Sequence, residues 1–214
     1  MDQDIEIIDK ITRYEKIKNF VLQNKKKLIF ICAIVLFTIF GLFLKQEIEK
    51  KNKIKIANRY NDALIEFNLG KKDLVILELK KIIEEKDSGY SPLALYFLID
   101  NKLITSNEEI NNFFDLIIND TKLDKDMKNL LIYKKALFNS EYTSENNLLT
   151  ILNPLINSES IWKSHALYLM AEYFYSKGEK QKSREFYLQI IGLKNSDQNI
   201  KIEAQKRINR DYSD

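Results

Sequence analysis

Residues 164–191 read SHALYLMAEYFYSKGEKQKSREFYLQII, and the fold class follows from them. Leu167, Met170, Ala171 and Phe174 recur every three to four residues, the spacing of one helix face. Gly178 then permits a tight turn, because glycine enters left-handed backbone at no steric cost. Ser183, Tyr187 and Ile190 form the stripe of a second helix that packs back on the first. Ser183 is the small side chain where the two helices approach.

Working outward from this hairpin, the same alternation of helix and short break runs through the chain. A helix is expected to end near Asn68, before Gly70, and a second to span 73–85. Ser91-Pro92 is read as a serine cap with proline at the first helical position, opening a third. Ser106-Asn107-Glu108-Glu109 has the form of a capping box and opens a fourth. Further helices are expected over 125–138, 144–157 with Pro154 disturbing its last turn, 161–176 and 180–191. Ser196 is read as the cap of a last helix whose stripe is Ile200, Ala204 and Ile208. The breaks within successive pairs fall near Gly70, Thr105, Glu141 and Gly178, at spacings of 35, 36 and 37 residues. Two helices per unit at a period near 34 is the signature of a tetratricopeptide solenoid. The 164–191 hairpin resembles that pattern closely, with Met170-Ala171 where Leu-Gly is usual.

Toward the N-terminus, residues 28–44 read LIFICAIVLFTIFGLFL without a charge, closed by Lys27 and Lys45. At about 1.5 Å per residue this is the short end of what spans a hydrocarbon core, and the flanking lysines can snorkel to the headgroups. The run starts late and is followed by KQEIEKK, which has no small-residue cleavage site, so it is expected to persist as a signal anchor. Seven basic residues precede it and six lie in the 20 residues after it. The positive-inside rule is therefore nearly tied, and charge leaves the orientation open. Ile7, Ile11, Tyr14, Ile17 and Val21 fit either a short helix lying on the membrane surface or a partly ordered tail. The expected architecture is all-α: a tail over 1–27, a transmembrane helix over 28–44, and a tetratricopeptide-like helical-hairpin solenoid with a C-terminal capping helix over 45–214.

Composition narrows the function. Residues 45–214 carry 27 basic and 26 acidic side chains, without the basic patch that nucleic-acid binding requires. The single cysteine, Cys32, lies in the apolar run, and the single histidine is His165. Together they supply neither a disulfide nor the usual zinc ligand set. No phosphate-cradling glycine loop and no GxSxG occurs, so neither a catalytic residue nor a cofactor is expected. Glu84-Glu85 and Glu108-Glu109 read as surface and cap carboxylates. Trp162 reads as a packing residue between repeats. His165, Tyr168, Glu172 and Tyr175 follow one another at spacings of three to four, on a face distinct from Met170 and Phe174. That face suits a protein-binding groove, because tyrosine buries much area and keeps a polar tip. It equally suits a cover for the neighbouring repeat.

The order of parts is similar to the YfgM-type family, ancillary subunits of the SecYEG translocon. The similarity starts with IKNFVLQNKKKLIF, a basic amphipathic stretch running into the anchor. It continues through ANRYNDALIEFNLGKKD and SGYSPLALYFLIDNKLI, and ends with the 165–191 hairpin and IKIEAQKRINR. The resemblance implies a single-pass inner-membrane protein with a cytoplasmic N-terminus and a periplasmic domain. It implies as partners the SecYEG translocon and a PpiD-like membrane-anchored chaperone, and it carries no catalytic residue. Two other readings stay open: a cell-envelope assembly factor, and a tetratricopeptide adaptor facing the cytoplasm.

Overall fold

The computed structural model describes residues 15, 16 and 18–212, with the side chains of 28, 31 and 32 left out. The described chain is all-helical. Its long elements are α1 (Lys25–Asn68), α2 (Lys72–Glu84), α3 (Tyr90–Asp100), α4 (Asn107–Asp120), α5 (Lys125–Asn139), α6 (Glu145–Ile156), α7 (Trp162–Ser176), α8 (Lys180–Gly192) and α9 (Gln198–Asp211). The chain divides into two compact units, 1–55 and 56–214.

In the first unit, Phe30, Leu36, Phe37, Phe40 and Phe43 of α1 all stand exposed. Thr38, the one hydroxyl of the apolar run, donates to the Ile34 carbonyl at 2.7 Å. After the run, Lys45–Glu49 and Glu47–Lys51 pair at helical spacing. Among the described residues no helix is long and apolar enough to cross a membrane. The unbroken apolar stretch among them runs from Ala33 to Leu44, about 18 Å of helix. Ile7, Ile11, Tyr14 and Ile17 lie outside the described residues.

In the second unit, α2 to α9 each pack against the next, and α7 also touches α5 and α9. Local signals set most of the boundaries. Ser106 Oγ accepts from the Glu109 amide and Ser144 Oγ from the Asn147 amide, as N-caps do. The capping box is only half formed, because the Glu109 carboxylate reaches Lys80 instead. Two expected caps are corrected. Ser91 does not cap α3: it is fully buried, and its hydroxyl donates to the Ile82 carbonyl at 2.8 Å, tying α3 to α2. Asp197, not Ser196, caps α9, accepting from the amides of Asn199 and Ile200. Pro154 lies inside α6, which continues to Ile156.

Three of the turns share one closure. At Gly70 and Gly178, with φ of 81° and 78°, the following amide reaches back five residues, Lys71 to Glu66 and Glu179 to Phe174. This is the Schellman closure. After α3 the same bond runs from Leu103 to Leu98, and Lys102 takes the left-handed position with φ 52°. The break expected near Thr105 spans 101–106, and its left-handed residue is Lys102 rather than a glycine.

The core has two parts. The larger runs from Ile56 through Leu95, Phe114, Leu131 and Leu152 to Met170 and Phe174. The smaller comprises Leu167, Ala171, Tyr187, Ile190 and Ala204. The one stripe expected on α7 is thus split between two cores, because α7 has neighbours on both sides. Asn111 and Asn139 exchange amide hydrogen bonds of 3.0 and 2.8 Å between α4 and α5, so the polar side chain of Asn139 is buried with its donors and acceptors met.

Replacing Lys102 with Gly relieves a left-handed residue that carries a Cβ. The change is expected to stabilise the fold by roughly 0.5–1 kcal/mol, and Gly178→Ala to destabilise it by a similar amount. Denaturant melts of the two variants beside the parent check both signs.

Candidate functional site

The four residues singled out on α7 fall into two groups. His165 joins an aromatic cluster with Trp162 at 5.2 Å and Tyr133 at 5.8 Å between ring centroids, and its Nδ1 lies 3.3 Å from the Ile161 carbonyl. Trp162 packs on Tyr133 at 6.0 Å, as a residue between repeats would.

Tyr168, Glu172 and Tyr175 meet α8 and α9. Both carboxylate oxygens of Glu172 are occupied: the Tyr187 hydroxyl donates to one, and Arg207 Nη2 donates to the other at 2.7 Å. The Arg207 guanidinium also lies 5.7 Å over the Tyr175 ring. Tyr168 packs edge-on to Tyr187 at 5.6 Å, and Tyr175 packs on Tyr212 at 6.4 Å. The Tyr212 hydroxyl donates to Ser183 Oγ at 2.6 Å. Side chains expected to be free for a partner are therefore engaged by the chain's own last helix. Of the two roles open in the sequence, these contacts are those of a cover.

The electrostatics follow from this packing. Burial, then the hydrogen bond to Glu172, raises the Tyr187 phenol well above its ordinary value. Burial is also the main cause of the upward shifts of Tyr168 and Tyr212. The Tyr168 side chain, as hydrogen-bond partner, is the largest influence holding Arg207 above its ordinary value; burial opposes it and the Glu172 charge adds to it. A carboxylate with both oxygens taken is a structural acceptor, not a base waiting for a substrate proton. Among the described residues no group of His, Cys, Asp and Glu gathers to hold a metal ion.

A second feature lies at α1 and α2. Among the described helices α1 to α9, α1 and α2 are the successive pair whose backbones approach least. Arg59 spans the gap, donating to Glu78 at 2.5 Å and to Glu85. The hydrogen bond to Glu85 is the largest cause of its raised pKa. The opening is a cavity of about 430 Å³ whose walls include Asp62, Leu74, Leu77 and Lys81. Of the exposed aliphatic residues on these two helices, Leu74 and Leu77, 60% and 55% exposed, line it, and Ile65 and Leu69 of α1 are exposed outside its lining. The other exposed large apolar residues of this unit are scattered singly, as on ordinary surfaces.

The sequence reading passed over this site, although α2 carries its signal. In KDLVILELKKIIE, Val75, Leu79, Ile82 and Ile83 already fill a helix face toward the core. Leu74 and Leu77 are aliphatic residues in excess of that stripe. Compared with protein-family models, with curated proteins and with solved structures, the chain gives no match.

Two outcomes test the α7–α9 network. Glu172→Ala strands the part-buried Arg207 and Tyr187 donors and is expected to cost roughly 2 kcal/mol or more, read from a denaturant melt. The raised tyrosines are held neutral in the fold, so their contribution is complete below the ordinary phenol value of 10.0 and is lost as pH rises beyond it. Phenolate absorbance should accordingly lag behind that of free tyrosine and appear together with loss of helicity.

Proposed function

We propose that this protein is a membrane-anchored scaffold that binds other proteins through a solenoid of tetratricopeptide-like hairpins and makes or breaks no covalent bond. The exposed aliphatic face at α1 and α2 is the observation that carries the reading. Leu74 and Leu77 in the wall of an open cavity, with Ile65 and Leu69 also exposed on α1, have the composition of a helix-receiving groove. Such a groove gains affinity by burying apolar area while its charged rim sets orientation.

The anchor is the second part of the proposal. It rests on the uncharged sequence of residues 28–44, on its helical backbone within α1, and on the exposure of the large apolar side chains described there, from Ile29 to Leu44. A helix apolar on every side is at home in lipid, where the backbone meets its own hydrogen bonds. The solenoid rests on the succession of helices and on the repeated Schellman closures. The resemblance to YfgM-type subunits gives the role its specific form: a periplasmic domain held beside the SecYEG translocon and a PpiD-like chaperone, with the N-terminus in the cytoplasm.

Three measurements on the full chain test the reading. It should stay with membranes under alkaline extraction, and deletion of 28–44 should release it. Protease added to spheroplasts should digest residues 45–214; their full protection would overturn the periplasmic placement. A photo-crosslinking residue at Leu77 should trap protein adducts in membranes, while one at the isolated exposed Ile202 should not. Absence of any adduct at Leu77 would overturn the scaffold.

A further inference from the structure

The two ends of the helical unit 56–214 are finished differently. At the C-terminal end α9 covers α7 and α8, burying Ala204 and turning charged residues outward. Helical stacks need such a polar terminal element to remain soluble. At the other end α1 and α2 present Ile65, Leu69, Leu74 and Leu77 uncovered. Apolar residues crowd where a terminal repeat should be polar, so this end has the character of an interior.

The splay between α1 and α2 has the same sense. Two antiparallel helices with backbones apart and aliphatic residues along the opening resemble half of a four-helix bundle, in which a second pair of helices fills the gap. The charges at the rim indicate which pair. Asp62 and Lys81 are both exposed, and neither has an ion-pair partner among the described residues. The other rim carboxylate on α1, Glu66, is taken by Lys71 at 2.6 Å. Arg59 reaches both Glu78 and Glu85 across the gap, which sets Asp62 and Lys81 level to within about one helical turn. One free negative and one free positive charge at similar height, on opposite walls of an aliphatic opening, make a face complementary to itself under a two-fold axis.

We propose that a second copy of this chain occupies the α1–α2 face, with Leu74 and Leu77 of each copy buried and Asp62 of one paired with Lys81 of the other. The proposal rests on the scaffold reading of that same face and names its partner. Two copies anchored in one membrane meet at raised effective concentration, so a modest apolar patch suffices.

The test uses the full chain, solubilised in detergent and sized by sedimentation, and in membranes carrying a photo-crosslinking residue at Leu77. A dimer is expected, with the Leu77 adduct at twice the chain mass. Asp62→Lys or Lys81→Asp alone should weaken the dimer roughly tenfold, because each places two like-charge contacts across the axis. The two reversals together should restore it, which only self-pairing predicts. Both side chains are exposed, so circular dichroism should be unchanged in all variants. A dimer indifferent to the reversals would mean that another surface, such as the anchor, holds it, and would overturn the proposal. A monomer whose Leu77 adduct contains a different protein would overturn self-pairing and leave the scaffold reading intact. A monomer with no adduct at all would overturn both.

Discussion

Helix α7 is packed on both sides, and the rest of the helical unit depends on that double burial. Met170 and Phe174 enter the core built by α2 to α6, while Leu167 and Ala171 enter the core shared with α8 and α9. Phe186 of α8 stacks on Phe174 at 5.4 Å and borders both cores. Small residues make this possible. Ser164, Ala166, Ala171 and Ser183 are fully buried between the helices. A larger side chain there would force the helices apart, and interiors packed to crystal density have no slack to absorb it.

The second core is small, and polar contacts supplement it. α9 buries one alanine fully and contributes Ile200 and Ile208 in part. Its position is otherwise set by Arg207 on Glu172, by Tyr212 on Ser183, and by the ring contacts of Tyr175 and Tyr187 with Tyr212. Apolar burial is non-directional, whereas a carboxylate fixed by two donors accepts only one placement of the helix that supplies them. The network thus defines the seat of the terminal helix more than it adds bulk stability, since its ion pair must offset the cost of desolvating both charges.

The contrast with the opposite end gives the molecule a direction. Where α9 closes one end with a polar surface, α1 and α2 leave an aliphatic opening braced by Arg59. The guanidinium ties α1 to two carboxylates of α2 across the opening. The scaffold role proposed for the protein rests on that end rather than on the face of α7 that α9 meets.

Much of the fold was legible in the sequence because helix formation is decided locally. Periodicity over a few turns gave the helices and the 164–191 hairpin. Ser106 and Ser144 marked starts, Gly70 and Gly178 marked stops, and Ile200, Ala204 and Ile208 gave the docking stripe of α9. All of these signals act between residues a few positions apart. What lay beyond them was decided by contacts between distant segments. Ser91 has the form of a cap, yet it bonds across to Ile82 because α3 folds against α2. Lys102 takes a left-handed turn that no local preference favours, because the packing of α3 and α4 requires the chain to reverse there. Tyr168, Glu172 and Tyr175 share a face by spacing alone, but whether that face is open depends on where Arg207 and Tyr212, more than thirty residues later, come to rest. Leu74 and Leu77 are ordinary helix formers in the sequence, and only the separation of α1 from α2 leaves them uncovered. Local sequence sets which segments are helical and which of their faces are apolar. The tertiary structure decided which apolar faces find a partner within the chain, because that choice is made by burial and charge pairing summed over segments far apart in sequence.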